Sequence, residues 1–451
     1  MIANNKLSAT TKLIFILIIS FILRLISIGQ SLWLDEAISA NVIRLNTVDI
    51  ITNFSIHDFH PPLYYVLLKG WVGLTGNGVF SLRLLSIIFS LVTIWIVFLI
   101  GGKIKNKNLG LWAAIFTGVN PLFVYFSQEV RMYSLVTMCL TLVLLYFIKI
   151  IKNKNNNTLN IFWFNFWSFL SFFSFYGSIF LLAVFGLYFL INKKIKLLLL
   201  TNIGILLAIA ILSPLLLIQI TNSRIMLQTV VNWNLVLGKA NLKDLLLIPL
   251  KFSSGRISFM PKYFYYLVAG VWATIVFAVA IWGTRKNKIL GFLFIVPIVL
   301  GFIFSLWSPL LQYFRFLYLI PILGLLLALG IKKDFLKLVA SGIFLIFSLT
   351  YLLNPIFHRE DWKSLSNSLS ANSSIYLIDS FADPIKYYRK DIEIIDLKTI
   401  NPTAKEITVI PYGEIIHGLN HFAKLEGLGY KKISERSFRE ITLEEWTLEK
   451  P

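Results

Sequence analysis

Residues 31–39, SLWLDEAIS, place two adjacent carboxylates, Asp35 and Glu36, directly after the first apolar run of the chain. That run, 12–29, is long enough to cross a bilayer, which takes roughly 17–25 helical residues. It lacks a small-residue cleavage site and Arg24 interrupts its far end, so it reads as a retained span rather than a signal peptide. Acids are scarce elsewhere. Of 451 residues, 57% are hydrophobic and only 14% charged, and the mean hydropathy is +0.76. Soluble domains keep about a quarter of their residues charged, so this is an integral membrane protein. An aromatic content of 15%, with 38 Phe, suits lipid-facing and interfacial surfaces. A single cysteine, Cys139, excludes an internal disulfide. The net charge of +20 is not that of a nucleic-acid binder, because no Lys/Arg run carries interleaved aromatics.

The acids before residue 354 are Asp35, Glu36, Asp49, Asp58, Glu129, Asp244 and Asp334. The remainder crowd into a last segment of ordinary soluble composition. The chain therefore divides into a membrane domain, 1–353, and a small domain, 354–451. Further apolar runs lie at 80–102, 109–126, 134–151, 159–175, 176–192, 197–218, 263–283, 289–307, 316–331 and 337–353, giving about eleven transmembrane helices with the first. With the N-terminus (Lys6, Lys12) in the cytoplasm, KIKNK (103–107), KNK (152–154), KKIK (193–196), RKNK (285–288) and KKDFLK (332–337) all fall on the cytoplasmic side. Loops 30–79, 127–133, 219–262 and 308–315 and the C-terminal domain then face outward, at the cell membrane's extracytoplasmic side. In that domain DWKSLSNSL, DPIKYYRK and LNHFAKLEGLGY read as helices, and SIYLID, IEIIDL and ITVIPY as strands. Their alternation predicts a small open α/β sheet. It lacks a Gly-rich phosphate loop and a nucleophile elbow, which suits docking or acceptor binding better than a second enzyme.

The predicted outer loops hold the candidate chemistry. HDFHPPLYYVLLKGW (57–71) starts an apolar helix from about Leu63 to Val72 at its paired prolines, too short to span and suited to the interface. His57, Asp58 and His60 precede it, and Tyr64, Tyr65 and Trp71 read as an aromatic belt. H-x-x-H with one acid is a weak metal signal, so neither a metal nor a cofactor is expected. SQEVRMYSL (127–135) packs Glu129, Arg131 and Tyr133 into a short turn. Arg256 and Arg315 lie in the later loops. Singly, acids cap helices and arginines at span ends snorkel to lipid phosphate. Together, acids beside cations on one face are what a reaction with a phosphate leaving group needs.

In order, LWLDEA, HPPLYYVLL, SLRLLSIIFSL, SQEVRMYSL, FRFLYLIP and REDWKSL resemble landmarks of the family-39-like glycosyltransferases. This group of the membrane-embedded C-type superfamily contains protein O-mannosyltransferases and lipid A aminoarabinose transferases. The resemblance covers about the first 150 residues and returns near Arg315 and Trp362. It implies a C-type glycosyltransferase fold and a polyprenyl-phosphate sugar donor used outside the cytoplasm. Asp35, the first acid after the first span, would be the catalytic base of a single inverting displacement, with Glu36 orienting the acceptor or sharing its proton. Arg131, Arg256 and Arg315 would bind the carrier phosphate. His57, Asp58, His60, Tyr64, Glu129 and Tyr133 are further candidates to line the substrate site, although the HDFH stretch is a departure to which the resemblance assigns no role. The acceptor, a lipid, glycan or protein hydroxyl, stays open. A flippase for lipid-linked sugars would need ionisable residues near the membrane midplane, and a non-catalytic envelope scaffold would not need acids clustered beside arginines.

Overall fold

The structure, a computed structural model, describes residues 7–153, 157–233, 237, 238 and 240–449. Lys6 and residues 154–156 of the basic, asparagine-rich turn lie outside the described residues. In lipid every backbone polar group must be satisfied within its own segment, and helix occupies each apolar run of the sequence. Among the described residues six helices are long and apolar enough to cross a membrane, or seven with the bent pair Lys107–Gly118 and Pro121–Ser127 taken as one span. Tyr176–Ile191 and Lys288–Phe304 are shorter apolar helices. Length and composition thus support fewer crossings than the eleven read from hydropathy, which counts apolarity without regard to where a helix ends.

The lipid-facing stripe is visible on the first helix, Ala9–Leu25. Ile14, Ile18 and Ile22 stand exposed on it, while Leu13, Ser20, Leu23 and Arg24 are buried. The Val79–Ile104 helix runs through the middle of the bundle and packs closely on Lys107–Gly118. A Cβ on Gly101 would lie 2.5 Å from the Cα of Gly110, so the two backbones touch there, as small residues permit between membrane helices.

Two interruptions shape the face that carries the acids. The pair Lys107–Gly118 and Pro121–Ser127 bends by 65°. Pro121 cannot donate to the preceding turn, and the Asn120 side chain restarts the helix by accepting from the amides of Leu122 and Phe123. The second interruption is the 30–79 connection. It forms the helix Leu34–Val42, short turns over 47–57, and the helix Leu63–Thr75. Tyr64, Tyr65 and Leu68 of that last helix are buried and only the opposite side, with Leu67 and Leu74, is exposed. Tyr64 and Tyr65 are therefore core residues and not part of an aromatic belt. Their helix lies against the protein's own spans, so its more aromatic face turns inward.

One ion pair fixes this connection. The Arg83 guanidinium donates to both Glu36 oxygens, at 3.0 Å from Nε and 2.6 Å from Nη2. Its remaining hydrogens go to the carbonyls of Ile28, Gln30 and Ser31. Both side chains are essentially fully buried. The extended Ile203–Thr229 helix continues past the apolar run and holds the same connection from its other end. Gln219 donates to the Ser55 carbonyl at 2.6 Å and Asn222 to the Ile56 carbonyl at 2.6 Å.

After Leu353 the chain forms a five-stranded mixed sheet: β1 (Ser374–Leu377), β2 (Glu393–Asp396), β3 (Glu406–Val409), β4 (Tyr430–Phe438) and β5 (Ile441–Leu448), in the order β2-β1-β3-β5-β4. The three strands expected from sequence are the parallel part. The antiparallel β4–β5 hairpin was not expected. Its edge strand β4 buries only Tyr430, and charged Lys431, Glu435 and Arg436 stand exposed along it, which hides the apolar signal a central strand would give. The domain rests on the acid-bearing connection. Asn41 donates to the Asp383 carboxylate at 2.7 Å, the Leu32 amide to the Tyr388 hydroxyl at 2.8 Å, and the Lys363 amide to Ser31 Oγ at 3.0 Å.

Breaking a buried pair by removing one partner costs about 3–5 kcal/mol because the other charge is stranded. Arg83→Ala is expected to lower the unfolding temperature of the detergent-purified protein markedly, and Glu36→Gln with Arg83→Met to recover part of the loss. A wild-type unfolding temperature for Arg83→Ala would show that the pair does not anchor the connection.

Candidate active site

The Leu34–Val42 helix starts where it does because Glu36, in its first turn, reaches back to the free Trp33 amide at 3.4 Å. Successive residues on a helix point about 100° apart, so the two acids diverge. Glu36 turns inward and also accepts from the Val130 amide at 3.0 Å, which adds a third partner to the two bonds from Arg83. Asp35 turns sideways into an open crevice. Its side chain is 35% exposed, and its one polar contact among the described residues is an ion pair with Arg131 Nη2 at 3.6 Å.

Arg131 links Asp35 to a second carboxylate. Its Nη1 donates to the Tyr65 hydroxyl at 3.4 Å, and Tyr65 donates to Asp58 Oδ2 at 2.7 Å. Asp58 Oδ1 meets His60 Nδ1 at 3.2 Å. Burial by itself would raise the Asp58 carboxyl, but the nearby His60 and Arg131 charges hold it down to about 2. The His60 ring lies 6.3 Å from that of Phe175. His57 stands exposed at the end of its short turn and joins neither group. Tyr64 is buried with its hydroxyl 3.4 Å from Ser86 Oγ.

On the other side of Asp35 the bend at Pro121 delivers Tyr125. Its hydroxyl oxygen accepts from Arg256 Nη1 at 2.8 Å and from Arg359 Nε at 3.1 Å, and it donates to Glu129. Arg359 lies 3.7 Å over the Trp33 ring, so a residue past the last membrane helix enters the crevice next to the Asp35 helix. Beside it Glu360 accepts from the Tyr412 hydroxyl at 3.0 Å, and the Asp35 charge reaches Tyr412. Glu129 is only 4% exposed; this burial outweighs the opposing Arg359 charge and raises its carboxyl from 4.5 to about 7. A cavity of 10 Å³, about the space of one water, lies between Trp33, Glu36, Tyr125, Glu129 and Arg359. Tyr133 sits within electrostatic reach of Arg131, Arg315, Asp35 and Glu129. Arg315 Nη1, Arg131 Nε and Glu129 Oε2 are buried without a hydrogen-bond partner among the described residues.

The crevice therefore gathers Asp35, Asp58, His60, Glu129, Arg131, Tyr133, Arg256 and Arg315, and leaves out His57 and Tyr64. Arg359, Tyr125 and Tyr412 were not singled out from the sequence. Arg359 stood inside the REDWKSL landmark, but nothing local said that this segment folds back over residue 33.

A carboxyl raised above its ordinary value binds more protons folded than unfolded, so it destabilises the fold as pH rises. The Glu129 contribution should be absent below about pH 4.5 and fully unfavourable above about pH 7. Glu129→Gln is expected to match the wild-type unfolding temperature at pH 4 and to exceed it at pH 8. The reverse order would mean that Arg256 and Arg359 outweigh burial.

Residues 59–218 match the family described as dolichyl-phosphate-mannose-protein mannosyltransferase. No curated protein sequence matches the chain. Its fold is similar to that of ArnT from Cupriavidus metallidurans in the apo state, with a TM-score of 0.60 at 10% identity over 97% of this chain and 98% of that one. The same protein bound to undecaprenyl phosphate gives 0.58 at 11% identity over the same shares. The archaeal oligosaccharyltransferase AglB from Archaeoglobus fulgidus, in complex with an inhibitory peptide and a dolichol-phosphate, gives 0.53 at 10% identity over 94% of this chain and 73% of that one. At these identities the likeness concerns the fold. The matched segment carries Glu129 and Arg131, and with this likeness the chain is a polytopic membrane glycosyltransferase dependent on a lipid-phosphate sugar.

Proposed function

We propose that the protein transfers a glycosyl group from a polyprenyl-phosphate sugar to an acceptor hydroxyl at the extracytoplasmic face, with Asp35 as general base. The observation that carries this is the contrast among the acids of the crevice. Glu36, Asp58 and Glu129 are buried and committed to Arg83, to Tyr65 and His60, and to Tyr125. The Asp35 carboxylate is open to the crevice and held only by Arg131 at 3.6 Å. As the acceptor oxygen bonds to the anomeric carbon, its proton passes to Asp35 and the bond from that carbon to the phosphate oxygen breaks, with inversion. The carrier leaves as its phosphate anion.

Four arginines can meet that charge. Arg256 and Arg359 converge on one phenol oxygen, and Arg315 and Arg131 each hold a buried nitrogen without a partner among the described residues. Fixed donors aimed at a developing charge stabilise it without reorganisation. Glu36 has a different part in this reading from the one the sequence suggested. With its oxygens taken by Arg83, Trp33 and Val130, it positions the Asp35 helix rather than orienting the acceptor.

The orientation rests on the basic loops, which place the N-terminus inside. If the shorter helices Ala9–Leu25, Thr158–Ser174, Tyr176–Ile191 and Lys288–Phe304 also cross, they and the seven longer spans make eleven, an odd number that would leave the C-terminal domain outside. A 17-residue helix is about 26 Å long, a few ångström short of the hydrocarbon core, a mismatch that local bilayer thinning accommodates. A reporter active only in the cytoplasm, fused after Trp362, is expected to be silent. A strong signal would reverse the faces.

Positioned general bases contribute roughly 10²–10⁴-fold. Asp35→Asn is expected to lower transfer from a purified polyprenyl-phosphate sugar at least a hundredfold while donor binding survives. Near-normal transfer would remove Asp35 from the chemistry. Arg256→Ala and Arg359→Ala should weaken donor binding by more than the ~1 kcal/mol of an exposed ion pair, with lysine rescuing only in part because the planar fork is lost. If both bind donor as wild type does, the carrier phosphate sits elsewhere.

A further inference from the structure

The Val79–Ile104 helix begins at the crevice near Arg83 and ends on the opposite face of the bundle. A cavity of 480 Å³ opens there, lined by Lys105, Lys286, Lys332 and Lys337, with Asp334 as the one acid. Its walls come from three connections far apart in sequence, all among the basic loops assigned to one side. Lys337 is buried, donates to Asp334 at 2.8 Å and lies 5.5 Å from the Trp112 ring centroid. Lys286 donates to the Leu329 carbonyl at 2.6 Å, at the end of the Ile320–Gly330 helix. Asn106, also in the lining, caps the 12-residue Lys107–Gly118 helix by accepting from the Leu109 amide at 2.9 Å.

The charges are unbalanced. Lys105, Lys332 and Lys337 all repel the Lys286 ammonium, and the acid available to the four is already spent on Lys337. Lysines that serve only as span-end anchors can spread around the rim and snorkel outward to lipid. These instead converge on one cavity, of a size that holds small ligands, beside the positive end of a helix.

We infer that this cavity is a second anion site, distinct from the Asp35 crevice, and that it takes a phosphate group. The phosphate can belong to an anionic lipid headgroup or be free in solution. The inference does not depend on the role of Asp35. Three of the lysines, Lys105, Lys286 and Lys332, are exposed, so replacing them leaves the packed Lys337–Asp334 pair in place.

The test uses the full-length protein in neutral detergent, titrated with short-chain phosphatidic acid, short-chain phosphatidylcholine or inorganic phosphate and read by native mass spectrometry and thermal shift. Wild type should bind phosphatidic acid at least tenfold more tightly than Lys105→Gln/Lys286→Gln/Lys332→Gln does, and phosphatidylcholine weakly. The triple variant without ligand should unfold no earlier than wild type, because repulsion is relieved. Replacing Lys193, Lys194 and Lys196, basic residues outside the cavity, should leave binding unchanged. Competition by inorganic phosphate would name a soluble phosphate as the occupant, and its failure to compete a lipid. Equal binding by wild type and the cavity variant, or equal loss in the Lys193/Lys194/Lys196 variant, overturns the inference in favour of general surface charge.

Discussion

The Arg83 guanidinium lies at the start of a helix that crosses the whole bundle, and its hydrogens fasten three carbonyls and the Glu36 carboxylate between Ile28 and Glu36. Burying an arginine this deeply is costly, and a carboxylate partner with further hydrogen bonds offsets the cost; here both come from one short stretch of chain, Ile28 to Glu36. The cost of desolvating the pair is balanced only in this geometry. The chain leaving the first helix is therefore forced to turn over the end of the second, and the Leu34–Val42 helix acquires a fixed direction. The placement of Asp35, of Trp33 under Arg359, and of the surface on which Asn41 receives the C-terminal domain follows from that direction.

Two adjacent acids thus do opposite things. The inward one is spent on architecture so that the sideways one can be presented with a single long contact. A general base must be free to meet the acceptor, and the Glu36 oxygens are already occupied by Arg83, Trp33 and Val130. Their adjacency has a mechanical use: any tilt of the helix that moved Asp35 would have to pull Glu36 off Arg83. Asp35, the proposed base, is held chiefly by its neighbour's ion pair, its own contact to Arg131 being long and leaving the carboxylate free for an acceptor.

How much of this was legible in the sequence depended on range. The apolar runs, the short Leu63–Thr75 helix and the three parallel strands come from local patterning, and each is present in the fold. The inward face of Tyr64 and Tyr65 was not legible, because a helix lying on lipid and one lying on neighbouring spans have the same apolar composition. The β4–β5 hairpin was lost among its own charges. Arg83 and Arg359 both stood inside recognisable stretches, yet their partners lie 47 and 234 residues away. A long-range ion pair has no periodicity, so only the fold could reveal that Glu36 was already committed.

The crevice is assembled from segments that do not meet in sequence, and its electrostatics explain why that matters. Arg256 and Arg359 place two positive charges on one phenol oxygen, about 6 Å apart or less, a repulsion of order 3 kcal/mol at an effective dielectric of 20. Glu129 offsets this poorly, since burial keeps its carboxyl near neutrality at about 7. A site left with surplus positive charge gains most from an anion that bridges both arginines, and in the proposed reaction the departing phosphate is that anion. Arg359 belongs to the segment leading into the sheet domain. Charge built up on the carrier during transfer would therefore tighten the C-terminal domain onto the Asp35 helix at the moment the sugar leaves, and its release would relax the contact. In the proposed reaction Arg359 would bring the segment after Leu353 into the transfer site, because the repulsion between Arg256 and Arg359 is what an anionic carrier relieves.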